Sequence, residues 1–209
     1  MKRNDFDVQI SQIKDERVAI STTMILEMLP DYFFEIPASS SGLHHPAFAL
    51  GEGGLVRHTK VALKFLEEIF RDEAFGVYSD YEKDLMRMAL LLHDGFKSGV
   101  EYSGHTVFEH PILIGDFIEE NRDKLFISPD DAIFVANLVR SHMGAWNKDK
   151  EGNEVLPFPK TREELIIHLC DFVASRSFLD VAFKDNEIVD SAERPKKLSL
   201  TNDEKKTSN

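Results

Sequence analysis

The chain has 209 residues, 42% of them hydrophobic, which allows one domain with a substantial core and argues against global disorder. Its formal charge of −12 opposes non-specific binding to long nucleic acid. A single cysteine, Cys170, excludes an internal disulfide and fits a reducing compartment. No apolar run reaches the length of a membrane span, and MKRNDFDVQI is not followed by an apolar signal region, so a cytoplasmic protein without membrane partners is expected.

A first helix is predicted from about Asp5 to Leu29. Phe6, Ile10, Ile13, Ile20, Met24 and Met28 give it a broken stripe, and Pro30 ends it. From Asp31 to Gly54 the periodicity stops. Pro37, Gly42, Pro46, Gly51, Gly53 and Gly54 mark an irregular loop. It enters directly upstream of the next helix, so His44 and His45 could fold over whatever that helix presents. A second helix spans about Leu55 to Phe70, with His58 on the same face as Leu55, Ala62 and Leu66.

A third helix, about Tyr81 to Leu92, buries Leu85, Met88, Ala89 and Leu92 and runs into LLLHDGFKSG. That stretch places His93, Asp94 and Lys97 at a helix end. On a continuing helix His93 and Asp94 would point about 100° apart, so both can face one point only at an edge. Downstream, His110 stands before Pro111 at the start of a helix. Ser128, Pro129 and Asp131 open another, whose inner stripe ends at His142. Trp146 follows in a loop. Thr161 to Glu164 reads as a capping box for a last helix carrying Leu165, Ile166, Leu169, Phe172 and Val173. Asp171 interrupts that apolar run and needs a partner or a metal; Arg176 is a rival partner. From Lys184 the pattern decays into a polar tail, residues 191–209.

The order His58, His93-Asp94, His110, His142, Asp171 resembles the HD-domain superfamily of metal-dependent phosphohydrolases. The matching segment runs from about Gly53 to Phe183. GGL before the first His, a Lys three residues after the HD Asp, and a late helix carrying the last Asp add to the likeness. The spacing is also similar to the HD domain of certain bacterial 3′–5′ exoribonucleases, without the β-barrel that accompanies it there. The resemblance implies one all-α domain over residues 1–190, a bundle of six or more helices.

It further implies that Asp94 bridges two metals. His58, His93 and Asp171 would complete one shell, and His110 and His142 the other. Manganese, iron, cobalt or nickel suits four imidazoles with two carboxylates. The expected chemistry is hydrolysis of a phosphate ester or anhydride of a nucleotide by a metal-bound hydroxide, with Asp94 and Lys97 as the catalytic side chains. His44, His45, Lys97 and Trp146 are the expected substrate contacts. A small nucleotide is the leading substrate. A 3′–5′ exonuclease on single-stranded RNA or DNA is the alternative, and a non-enzymatic metal-binding regulatory module is the third reading.

Overall fold

The computed structural model describes residues 3–40, 42, 45–180, 182–184 and 187–189. His44 and the tail from 191 to 209 lie outside the described residues. Among the described residues seven α-helices follow one another: α1 (Asp7–Ile10), α2 (Glu16–Met28), α3 (Gly54–Arg71), α4 (Asp80–Leu92), α5 (His110–Glu120), α6 (Pro129–Arg140) and α7 (Arg162–Ala174). The domain is all-α, as expected. Two three-residue strands, β1 (Ala182–Lys184) and β2 (Glu187–Val189), form a small antiparallel ribbon after the last helix, with Phe183 opposite Ile188.

The helix starts follow their capping chemistry. Ser79 and Thr161 each accept a hydrogen bond from the third helical amide, and Glu82 and Glu164 reach back to the cap backbone. Ser128 caps α6 through the Asp131 amide, with Pro129 in the first turn.

The single helix expected from Asp5 to Leu29 is in fact two. The chain leaves the helix after Ile10 and re-enters it at Glu16. The buried Asp84 carboxylate on α4 accepts the Lys14 and Asp15 amides at 2.9 and 2.8 Å, and Asp15 then caps α2 through the Arg17 and Val18 amides. Those interactions satisfy the backbone that a continuous helix would otherwise bond. The inner stripe of α2 is accordingly Val18, Ser21, Thr22, Ile25 and Leu26, while Ile20 and Met28 are exposed.

Helix α4 is buried on every side from Asp84 to Leu92. It touches α2, α3, α6 and α7, and α5 packs on α6. A helix without a solvent face is the axis of its bundle, so the segment that follows it emerges in the middle of the domain. That segment is His93-Asp94.

Candidate metal centre

The six candidate ligands reach the centre from five places along the chain, with His93 and Asp94 arriving together. His58 projects from the inner face of α3 and is fully buried. Gly54, the first residue of α3, lies so close to the Asp31–Gly53 loop that a Cβ there would stand 2.2 Å from the Ala49 carbonyl. His93 terminates α4, and the chain then turns tightly through Asp94 to Gly99. Gly95 serves close packing rather than an unusual backbone angle: a Cβ would meet the side-chain ends of Ile114 and Leu29 at 2.9 Å each, and these would have to shift. His110 is the first residue of α5, His142 sits in the turn after α6, and Asp171 lies in α7.

The expected inner stripe of α7 is rotated. Ile166, Ile167, Cys170 and Ala174 are buried, while Leu165 and Leu169 are about half exposed. This rotation is what turns Asp171 inward.

The six residues converge as two groups that share one member. His58, His93, Asp94 and Asp171 form the first, and Asp94, His110 and His142 the second. In the first, Asp171 Oδ1 lies 2.9 Å from His58 Nε2 and 3.5 Å from His93 Nε2, and Asp94 Oδ2 lies 3.4 Å from His93 Nε2 and 4.0 Å from His58 Nε2. In the second, Asp94 Oδ1 lies 3.0 Å from His110 Nε2 and 3.6 Å from His142 Nε2. The two carboxylate oxygens of Asp94 therefore face different groups.

The outer nitrogens of the rings fix what the inner ones present. His93, His110 and His142 each donate Nδ1–H to the carbonyl three residues earlier, that of Leu90, Val107 and Val139, at 2.7 Å in every case. A carbonyl can only accept, so Nδ1 carries the proton and the Nε2 of a neutral ring is a lone pair aimed inward. His110 Nε2 and His142 Nε2 then face each other at 3.3 Å. His93 Nε2 and Asp94 Oδ1 are buried without a hydrogen-bond partner, even though imidazoles stand close by. Converging lone pairs in a dry interior call for a cation between them. Nitrogen and carboxylate donors in this mixture suit a divalent first-row metal. These buried groups could hold metal ions.

Charge is strongly organised here. Burial opposes ionisation of Asp94, but Lys97 and His93 hold its carboxyl well below the usual range. Burial likewise opposes Asp171, and hydrogen bonds from His58 and His93 outweigh it. For His93, burial disfavours the cation, yet Asp94 and Asp171 raise the ring to about 10, so without a metal its Nε2 carries a proton in the place where a bound ion would take the lone pair. Burial, then repulsion from His93, pushes His142 down to about 3.

Exposure locates the mouth. The His58, His93, Asp94, His110 and His142 side chains are 0–1% exposed, whereas Asp171 is 17% and Lys97 12% exposed. Lys97 Nζ donates to Asp94 Oδ2 at 2.6 Å. The glycine-rich loop does reach this rim. The His45 ring stands edge-on to His58 at 5.8 Å, with its Nδ1 buried and unpartnered. Burial, aided by His58 and Lys97, pushes His45 down to about 4, so it is neutral at pH 7. The Tyr32 hydroxyl donates to the Gly99 carbonyl, tying the loop to the segment that bears Lys97.

Arg176 does not pair with Asp171. It donates to the Phe172 carbonyl and the Ser175 hydroxyl and lies over the Phe172 ring. His105 is an exposed loop residue bonded to Ser103. Trp146 is half exposed and stacked on Phe172.

His168, by its spacing from Asp171 either a support of the site or an exposed residue, is a support, and Gly144 is a second one that the sequence did not single out. His168 donates Nδ1–H to the His142 carbonyl at 2.7 Å, and Gly144, at φ +57, lets the chain pass over the His168 ring. Gly144, two residues past His142, was the available signal. Comparison with protein-family models, with curated proteins and with solved structures finds no match. The ligand arrangement is compatible with an HD motif on its own geometry.

Proposed function

We propose that this chain is an HD-type metal-dependent phosphohydrolase acting on a phosphate ester or anhydride of a small nucleotide. The observation that carries the reading is the Asp94 carboxylate, which gives Oδ2 to the group of His58, His93 and Asp171 and Oδ1 to His110 and His142. A carboxylate divided in this way could be shared by two divalent ions. Manganese, iron, cobalt or nickel fits the donor set. When bound, such ions would lower the pKa of water and polarise a phosphoryl oxygen.

The remaining work falls to the chain. The Leu90, Val107 and Val139 carbonyls hold three imidazoles at a fixed tautomer and angle, so the ligands need no reorganisation. Burial of the five inner side chains excludes bulk water and strengthens every charge interaction inside. Lys97 at the mouth presents an ammonium where the outer oxygens of a phosphate would lie, and a fixed cation there favours the charge that develops on displacement. The His45 imidazole, edge-on to His58, would hydrogen-bond the same phosphate. No serine or cysteine nucleophile is needed, and the one cysteine is buried.

The charge of −12 supports a small substrate over a long strand, whose phosphates would be repelled away from the mouth. The test is turnover by metal-reconstituted protein on a panel of dNTPs, nucleoside monophosphates, cyclic dinucleotides and short single strands. Hydrolysis of small nucleotides with a KM that changes little with salt is expected. Degradation of single strands alone, lost steeply as salt rises, would replace this reading with the exonuclease. Metal binding without turnover of any substrate would leave the regulatory module.

A further inference from the structure

We infer that Trp146 is the stacking platform for the nucleobase, so that the substrate of the proposed reaction is recognised at both ends: its phosphate at the metal groups and its base on the indole. This rests on the phosphohydrolase reading for the phosphate end only.

Trp146 is the single tryptophan of the chain, and it is 49% exposed. A side chain of that size and apolarity is normally buried or used. Here it is packed against neighbouring rings without being covered. The indole stacks on Phe172 at 5.4 Å with 25° between planes, and His168 lies tilted at 6.4 Å. The Arg176 guanidinium sits 4.4 Å from the Phe172 centroid and 5.5 Å from that of Trp146. Its hydrogen bonds go to the Phe172 carbonyl and the Ser175 hydroxyl, and it has no carboxylate partner among the described residues. The result is a rigid, half-open aromatic surface edged by a guanidinium plane. A flat π-system bearing hydrogen-bonding edges matches it, and a bare phosphate or sugar phosphate would use none of it.

The platform is also tied to the metal groups by named contacts. Phe172 follows Asp171 directly. His168 precedes Asp171 by three residues and Phe172 by four, so on α7 it is a surface neighbour of both. The same His168 donates Nδ1–H to the carbonyl of His142, a member of the second group. Gly144 permits that turn: a Cβ there would fall 2.2 Å from the His168 ring, and φ is +57. The turn that sets His142 thus also sets Trp146 four residues on. Asp171 is the most exposed of the six ligands at 17%, and the Phe172 that carries the indole is the next residue of α7.

The experiment uses the full chain loaded with zinc, which does not quench fluorescence. Emission of the single tryptophan is followed, with red-edge excitation, during titration with AMP, UMP, adenosine, ribose 5-phosphate and inorganic phosphate, and dissociation constants are measured in parallel by calorimetry. AMP and UMP should quench saturably, and AMP should bind about 10-fold or more tightly than ribose 5-phosphate, the scale of one stacked base. Trp146→Ala should bring that ratio close to one, whereas Trp146→Phe should retain most of it. A purely structural role would weaken both ligands alike and leave the ratio unchanged. Ribose 5-phosphate binding as well as AMP, or a preference that survives Trp146→Ala, would overturn the platform. Quenching by adenosine without any binding of inorganic phosphate or ribose 5-phosphate would keep the platform and overturn the phosphohydrolase reading.

Discussion

His110 Nε2 and His142 Nε2 face each other at 3.3 Å, and both rings have already given their Nδ1 protons to backbone carbonyls. Two lone pairs at that distance repel unless a cation lies between them. The prediction is that protein reconstituted with manganese or cobalt holds two ions per chain by elemental analysis. His142→Ala should lose one ion, and Asp94→Ala, which removes the shared carboxylate, should lose both. Chelation should lower the melting temperature by roughly 5–10 °C, since ligand at about 100 times its dissociation constant contributes about 2.7 kcal/mol. A His142→Ala protein that retains two ions would displace this residue from the second group.

Lys97 gives a different signature. Its ammonium donates to Asp94 Oδ2, but a protonated lysine cannot ligate a metal. Lys97→Ala should therefore keep its fold and its metal content and lose on the order of 10²-fold in kcat, the scale of removing one electrostatic stabiliser. Lys97→Arg should recover part of the rate, because a planar fork does not reproduce a compact ammonium. Steady-state kinetics and elemental analysis on one preparation decide it. Wild-type turnover in Lys97→Ala would remove the residue from the chemistry, and lost metal would make its role structural.

Cys170 sits one residue before Asp171, and its thiol is fully buried. Burial, with the Asp171 charge adding to it, pushes the thiol up to about 12 from an ordinary 9.0. At pH 8 the native thiolate fraction is then about 10⁻⁴, and only the thiolate reacts. Native protein should resist a thiol reagent at pH 8, and denatured protein should react with one equivalent. The sign of the linkage follows: the raised native pKa favours the fold below pH 9, and that contribution is lost as pH rises toward 12. Rapid labelling of native, metal-loaded protein would contradict the burial.

The convergence of the six ligands was legible because each falls on an apolar stripe or at a helix end, positions where a histidine or aspartate needs a reason. His58 on the face of Leu55 and Ala62 is the plainest instance. The rotation of α7 was not legible, since Leu165, Leu169 and Phe172 form as good a stripe as the one actually buried. Periodicity ranks faces by apolarity and cannot see that Asp171 and His168 have partners inside. The approach of His45 was legible only in outline: its loop enters just upstream of the His58 helix, but it has no period, and no local rule singles out the contact of His45 with His58. Arg176 was a fair rival for Asp171 by sequence distance, and only the Phe172 and Trp146 rings show where it goes instead.

Asp84 was missed for a related reason. In YEKDLMRM it reads as part of a solvated face, yet it is fully buried. Its Oδ2 accepts the Lys14 and Asp15 amides, and its Oδ1 accepts Arg87 at 2.7 Å. Arg87 in turn makes a bidentate pair with Glu67 at 2.6 and 3.0 Å. The network joins α4 to α3 and fixes the break between α1 and α2. Glu67 still compensates the Arg87 charge when Asp84 is removed, but the Lys14 and Asp15 amides and one Arg87 N–H lose their acceptor at about 1–3 kcal/mol each, on the order of 3–5 kcal/mol together. Asp84→Ala should therefore lower the melting temperature by roughly 6–20 °C for a domain of this size. Asp84→Asn keeps an acceptor for the two amides and should lose less. Neither substitution touches the six ligands, so metal content below the transition should stay at the wild-type value. Thermal unfolding beside elemental analysis gives both readings. A melting temperature unchanged in Asp84→Ala would mean that water or a rearranged Arg87–Glu67 pair fully replaces the carboxylate, and that the helix break is set by Asp15 alone.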